Sequence, residues 1–223
     1  MGKLPDFLII GEMKCGTTAL YKYITEHPQI EPAKRKELAF FNIHFNKGIR
    51  WYQHQFPENT QLTGEASGYL KFPDVAKKVA DVIPDVKLIV ILRNPVDRVY
   101  SHYHMHLKKR KIAIPFEKAI QQHPGYLHQG KYVLKLKKWM EIFPAEQFLI
   151  LESEQLDKMP QKMMNRVFRY LGVHAYSVNV HKKYNTHNYA KIHPHTRKKL
   201  LDYYEPYNKD LYQLLNKRFD WGR

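Results

Sequence analysis

Residues Val86-Lys87-Leu88-Ile89-Val90-Ile91-Leu92 run with a single polar interruption, and this run sets the tightest limit on the fold. A strand with one wet face alternates polar and apolar residues. A nearly continuous aliphatic run is instead buried on both faces, as in a parallel sheet covered by helices. Phe7-Leu8-Ile9-Ile10, ending at Gly11, and Phe148-Leu149-Ile150-Leu151, following Pro144, read as further strands of this kind. Helical spacing lies between them. Ala19, Leu20, Tyr23 and Ile24 recur at that spacing until His27-Pro28 stops the pattern. A helix is expected just after Pro95, and another from Tyr132 to Ile142. Leu200, Tyr204, Tyr207, Leu211, Leu214 and Leu215 mark one or two helices between Thr196 and Phe219. Strands alternating with helices predict an α/β fold, a P-loop-like single domain over residues 1–223 with a central, mainly parallel sheet flanked by helices.

Composition restricts the partners. The 223 residues include 37 Lys+Arg against 21 Asp+Glu, a formal charge of +16, so anionic ligands are favoured. Nucleic acid, anionic lipid, a polyanionic glycan and a nucleotide all satisfy that charge. The basic run Lys108-Lys109-Arg110-Lys111 is expected at a helix end or in the loop before Pro115, on a solvated face or steering an anionic acceptor. Cys15 is the only cysteine, so no intramolecular disulfide can form. No charged leader followed by an apolar stretch is visible. No window reaches the about 18 to 20 apolar residues of a membrane helix. The expectation is a soluble, cytoplasmic chain without stable membrane insertion.

The chemistry begins at Gly11-Glu12-Met13-Lys14-Cys15-Gly16-Thr17-Thr18, which follows a strand and opens a helix. Backbone N–H groups at a helix N-terminus, reinforced by the helix dipole, point at an anion. Glycines at 11 and 16 allow close backbone approach, and Thr17 and Thr18 can donate hydroxyl hydrogen bonds. The glycine spacing matches the nucleotide-triphosphatase loop, but Lys14 precedes the second glycine and residue 17 is Thr where that loop has Lys. The strand at 86–92 ends in Arg93, where a Walker-B strand offers a magnesium-binding Asp. Both differences disfavour a magnesium-dependent kinase acting on a small metabolite. The other reading to weigh is a non-enzymatic polyanion or nucleic-acid binder, for which no reader motif is present. A strand–Gly–helix turn that binds nothing also fits the local pattern.

Lys14-Cys15-Gly16-Thr17-Thr18 resembles the 5′-phosphosulfate loop of sulfotransferases that use 3′-phosphoadenosine 5′-phosphosulfate (PAPS). Leu92-Arg93-Asn94-Pro95-Val96-Asp97-Arg98-Val99-Tyr100-Ser101 resembles their 3′-phosphate motif, in which an Arg and a Ser eight residues later hold that phosphate. Lys36-Glu37-Leu38-Ala39-Phe40-Phe41, Lys47-Gly48-Ile49-Arg50-Trp51-Tyr52, Gly64-Glu65-Ala66-Ser67 and Phe219-Asp220-Trp221 are similar to the heparan sulfate N- and 3-O-sulfotransferase branch. Three positions depart from it. Ala66 stands where the 3-O-sulfotransferases carry Lys. The eukaryotic disulfide-closed loop cannot form. Tyr189-Ala190-Lys191 replaces a Lys-Gly-Arg stretch before the His193-Pro194 pair.

The resemblance implies the donor PAPS, the product 3′-phosphoadenosine 5′-phosphate (PAP), and donor contacts from Lys14, Cys15, Gly16, Thr17, Thr18, Arg93, Ser101 and Lys191. It implies sulfuryl transfer to a hydroxyl or amine acceptor, a glycan or small compound, possibly anionic, and no nucleic acid. Sulfuryl transfer, like phosphoryl transfer, depends on positioning and charge stabilisation. Lys14 would stabilise charge at the leaving phosphate, and Glu37 is the implied general base if burial raises its pKa. Alternatively, Glu37 is a surface residue paired within Lys34-Arg35-Lys36. Lys36, His44, Trp51, His102 and His106 are candidate acceptor contacts, against the plainer readings of a solvated basic face and core aromatics. His102 and His106 share a helix face while His104 points elsewhere. No metal is expected, because His44, His102, His104 and His106 lack a ligand pattern with carboxylates or Cys. Cys15 reads as a small loop residue without a partner base.

Overall fold

A computed structural model of the chain describes residues 2–58, 61–109, 111–180 and 189–221. Among them are five strands, β1 (Phe7–Gly11), β2 (Ile30–Pro32), β3 (Leu62–Ala66), β4 (Lys87–Leu92) and β5 (Phe148–Glu152). The helices are α1 (Thr17–Ile24), α2 (Gly48–Gln53), α3 (Val75–Val82), α4 (Pro95–Lys108), α5 (Phe116–Gln122), α6 (Gly125–His128), α7 (Tyr132–Met140), α8 (Ser153–Lys158), α9 (Pro160–Leu171) and α10 (Pro194–Leu215). The chain divides into two compact units. One comprises Met1–Leu92 with Lys138–Thr186, the other Arg93–Lys137 with His187–Arg223.

The first unit holds the sheet, in the order β2-β3-β1-β4-β5, with every neighbouring pair parallel. All of β1 is buried, and only Lys87 of β4 reaches partial exposure. That is the two-faced burial its unbroken apolar sequence requires. Leu8 sits opposite Glu65 on one side and Leu88 on the other, so β1 is the central strand. At Gly64 the sheet admits no side chain, because a Cβ there would lie 2.5 Å from the Phe7 carbonyl oxygen. α9 buries Met163, Met164, Val167, Phe168 and Leu171, a helical stripe packed against α1 and β5. It ends at Gly172 with φ 82°, the left-handed cap that glycine adopts without Cβ strain.

The second unit is helical. Its core joins Val96, Val99 and Tyr103 of α4 to Phe116 and Ala119 of α5, Tyr126 of α6, and Leu200 and Tyr204 of α10. The segment from 194 to 215 is one helix despite Pro206 inside it. Thr196, Leu200, Tyr204, Asn208 and Leu211 keep one face buried across the proline, so packing outweighs the lost N–H. Arg98 lies fully buried beneath this core at 0% exposure. It donates to the Tyr126 carbonyl and, at 3.4 Å each, to Gln129 Oε1 and His102 Nδ1. Of the basic run at 108–111, Lys108 closes α4, and Arg110 lies outside the described residues. No helix among the described residues is long and apolar enough to cross a membrane.

Candidate active site

Parallel strands deliver their C-terminal ends to one edge of a sheet, and the first unit places two turns there. One follows Gly11 of β1; the other follows β2 and lies against the end of β3, where Ala66 pairs with Ile9 of β1. The first is the phosphate-type turn. Glu12 N donates to Ile91 O at 2.9 Å and Cys15 N to Glu12 O at 3.1 Å, folding the turn on its own backbone. Lys14 has φ 70° and Gly16 φ 99°, both left-handed. No side chain caps α1, which starts at Thr17, and no acidic residue stands in its first turn. The result is a helix N-terminus with backbone donors, two threonines and Lys14 beside it, which suits a phosphate- or sulfate-bearing group. Cys15 is fully buried, its Sγ 3.9 Å from the Met13 carbonyl oxygen, which makes it a packing residue of the turn.

The second turn carries Glu37. Glu37 N donates to Ala66 O at 3.1 Å, Leu38 N to Glu65 Oε2 at 3.2 Å, and Ala39 N to Ser67 Oγ at 3.1 Å. Three successive N–H groups are thus tied to the end of β3. Glu37 and Ala39 have φ 62° and 52°, the left-handed region that side chains with a Cβ rarely occupy. The Glu37 side chain points outward, 67% exposed, 2.7 Å from Lys36 Nζ. The burial expected of Glu37 is therefore absent; what the turn supplies is a fixed backbone and an accessible carboxylate.

The burial belongs to Glu65. This side chain is fully enclosed, and four donors converge on it: Tyr52 Oη at 2.8 Å and Tyr69 Oη at 2.7 Å on Oε1, Ser67 Oγ at 2.6 Å and Leu38 N at 3.2 Å on Oε2. Burial raises the Glu65 pKa above the usual carboxyl value, and the Ser67, Tyr69 and Tyr52 hydroxyls and the Leu38 N–H act in the opposite direction. Burial likewise lifts both tyrosines, with the Glu65 charge adding to it. In the sequence Glu65 stands out only as part of the Gly64-Glu65-Ala66-Ser67 motif; a glutamate between Gly64 and Ala66, followed by Ser67 and Tyr69, is the available signal.

Around this turn, Phe40 stacks on Tyr52 at 4.2 Å and on Trp51 at 6.2 Å. Trp51 is half-buried, with Lys47 Nζ 4.5 Å from its ring and His44 5.6 Å away. Desolvation pulls His44 below its ordinary value, with Lys47 and Arg35 adding to the effect. Tyr52 is core.

In the second unit, Arg93 follows β4 directly and enters α4 through Asn94 and Pro95. Asn94 accepts from Val96 N at 2.9 Å, capping the helix, and its Nδ2 donates to Trp221 O at 3.0 Å. Tyr132 Oη donates to Arg93 O at 2.9 Å. The Arg93 turn is thereby fixed by a cap, a tyrosine and the C-terminal Trp221, which stacks on Phe219 at 4.4 Å. Ser101 is buried on α4. Lys191 is exposed; the preceding Tyr189 and Ala190 dock on α4, where Tyr189 stacks on His104 at 4.1 Å and Tyr100 Oη donates to Ala190 O at 3.0 Å. His102 and His106 share a face, their rings 4.5 Å apart, as the spacing predicts. His102 is 6% exposed and packed on Arg98 and Tyr126. His106 Nδ1 lies 2.6 Å from Tyr126 Oη, and desolvation, then Lys111, Lys109 and His123, lower its pKa.

Comparison with known proteins fits this arrangement. Residues 4–207 match the family described as "Sulfotransferase domain". The chain is 31% identical over 207 residues to a bifunctional heparan sulfate N-deacetylase/N-sulfotransferase 1 from Caenorhabditis briggsae, covering 82% of this chain and 24% of that protein. It is 28% identical over 256 residues to human heparan sulfate glucosamine 3-O-sulfotransferase 6, covering 99% of this chain and 74% of the relative. The crystal structure of a sulfotransferase from Alicyclobacillus acidocaldarius superposes with a TM-score of 0.85 at 27% identity, over 99% of this chain and 100% of that one. The chain belongs to the sulfotransferase domain family, a family of transferases, and its pattern matches the heparan sulfate branch. It spans about a quarter of the length of the nematode relative.

Proposed function

We propose that the chain moves the sulfuryl group of PAPS to a hydroxyl or amine of a carbohydrate acceptor by in-line displacement. The observation that carries this reading is the uncapped N-terminus of α1, with Lys14, Gly16, Thr17 and Thr18, at the C-terminal end of the central parallel strand. Membership of the sulfotransferase family supports reading that anion cradle as a phosphosulfate site. Cys15 contributes backbone to the turn. Arg93 and Ser101 are assigned to the 3′-phosphate, with Lys191 as a further cation. Their support is the resemblance together with the anchoring of the Arg93 turn.

In the reaction, the bond between sulfur and the bridging oxygen of the 5′-phosphate breaks as a new bond from sulfur to the acceptor oxygen or nitrogen forms. Glu37 takes the acceptor proton, and Lys14 balances the charge that develops on the departing phosphate of PAP. The exposed Glu37 carboxylate is within reach of an acceptor arriving from solvent. Lys36, His44 and Trp51 are assigned as acceptor contacts beside it. The carbohydrate class rests on the relatives that act on heparan sulfate.

Thermal unfolding in the presence of PAP, ATP with magnesium, or heparin tests the donor assignment. PAP at 100 times its Kd should stabilise the fold by about 2.7 kcal/mol. Stabilisation by ATP with magnesium and none by PAP would overturn it. Transfer of labelled sulfate from PAPS to a panel of glycans, amino sugars and small hydroxyl compounds then fixes the acceptor.

A further inference from the structure

We propose that Glu65 is the positioning residue for Glu37, acting through the backbone of the Lys36–Ala39 turn. The inference rests on the reading of Glu37 as the general base. Glu65 is a carboxylate with 0% exposure one residue before the end of parallel strand β3, where an apolar residue would cost less to bury. Every donor it accepts belongs to the segments that frame the Glu37 turn. Leu38 N comes from the turn itself, Tyr52 from α2, and Ser67 and Tyr69 from the chain leaving β3.

Ser67 extends the connection. A serine hydroxyl carries one proton, which Ser67 gives to Glu65 Oε2 at 2.6 Å. Its oxygen is then oriented to accept from Ala39 N at 3.1 Å. Glu65 therefore holds Leu38 directly and Ala39 through Ser67, and Glu37 N is held by the intervening Ala66 carbonyl. Left-handed backbone at Glu37 and Ala39 is unfavourable for residues with a Cβ, and persists where surrounding contacts over-determine it. Glu65 and Ser67 supply that determination. Ser67 N in turn donates to Ile9 O at 3.1 Å, so the clamp is seated on β1, the strand that leads into the Lys14 turn. An exposed base has no packing of its own to fix it, and its precision must come from the backbone that carries it.

The test is a double-mutant cycle of Glu65→Gln and Glu37→Gln, read as kcat, acceptor KM and PAP affinity. With Glu65 acting through Glu37, Glu65→Gln lowers kcat by about 10- to 100-fold, the scale of a misplaced catalytic group, with PAP affinity unchanged. In the Glu37→Gln background it produces no further fall, because residues acting as a unit are non-additive. Ser67→Ala, which leaves the buried carboxylate in place, should lower kcat to a lesser extent and also lose its effect in the Glu37→Gln background. This second variant decides the question if Glu65→Gln does not fold. Normal kcat in folded Glu65→Gln, or falls that multiply in the double variants, overturns the positioning role and leaves Glu37 as the base. Normal kcat in Glu37→Gln overturns the base assignment and the positioning role together.

Discussion

The two turns at the C-terminal edge of β1 and β3 are held in opposite ways. The Lys14 turn folds chiefly on main-chain bonds, Glu12 N to Ile91 O and Cys15 N to Glu12 O, with one side-chain bond from Met13 N to Glu12 Oε1 and left-handed backbone at Lys14 and Gly16. The Lys36–Ala39 turn is held largely by side chains, through Glu65 and Ser67, and places non-glycine residues in left-handed backbone at 37 and 39. The Lys14 turn lies at the N-terminus of α1, and the Lys36–Ala39 turn presents an exposed carboxylate. On the proposed reading, donor binding belongs to the first turn and acceptor activation to the second.

The largest effect that would break this division is on turnover. Glu37→Gln should lower kcat by about 100- to 10,000-fold, the usual range for a general base, with PAP affinity retained in calorimetry. Loss of PAP binding in that variant would merge the two turns into one donor site. Lys14→Ala should do the reverse and weaken PAP binding by roughly 10- to 150-fold, the equivalent of one charge-assisted hydrogen bond of about 1.5–3 kcal/mol. An unchanged PAP affinity would remove Lys14 from the donor turn.

Backbone strain gives a finer comparison. Gly16→Ala places a Cβ at φ 99° and should destabilise the fold by about 1 to 2 kcal/mol in urea titrations. Ala39→Gly relieves φ 52° and should be neutral or stabilising by up to about 1 kcal/mol. If both substitutions destabilise alike, the two turns are not held differently.

The smallest effect is a pH dependence. Burial raises Glu65 above its ordinary value of 4.5, so the native state keeps its proton to higher pH than the unfolded chain. Below the ordinary value both states are protonated. As pH rises through the raised value, stability is lost. The stability of the wild type relative to Glu65→Gln should therefore fall between these two values. Equal slopes with pH would mean that Glu65 titrates alike in both states.

Much of the donor side was legible in the sequence. β1, β4 and β5 are dense apolar runs, α1 and α4 begin where Gly16 and Pro95 predict, and all depend on neighbours close in the chain. β2 and β3 were not legible. Ile30–Pro32 is three residues long, and Leu62–Ala66 carries Thr, Gly and Glu, a composition that reads as loop. The Lys36–Ala39 turn was legible as a motif around Glu37 but not as a geometry. Its exposure and its ion pair with Lys36 depend on how the turn lies against β3. The burial of His102 was not legible because it depends on Arg98 and Tyr126, the latter on a separate helix.

By itself, the sequence determined the parallel α/β plan and the strand–Gly–helix turn at 11–18, since apolar periodicity, glycine placement and helix starts act over a few residues. Only the tertiary structure decided which glutamate is enclosed and which is presented. Glu37 and Glu65 are the same residue type, each within a short motif. They differ because Tyr52, Ser67, Tyr69 and the Leu38 N–H, brought together from three segments, close around Glu65 and leave Glu37 in solvent.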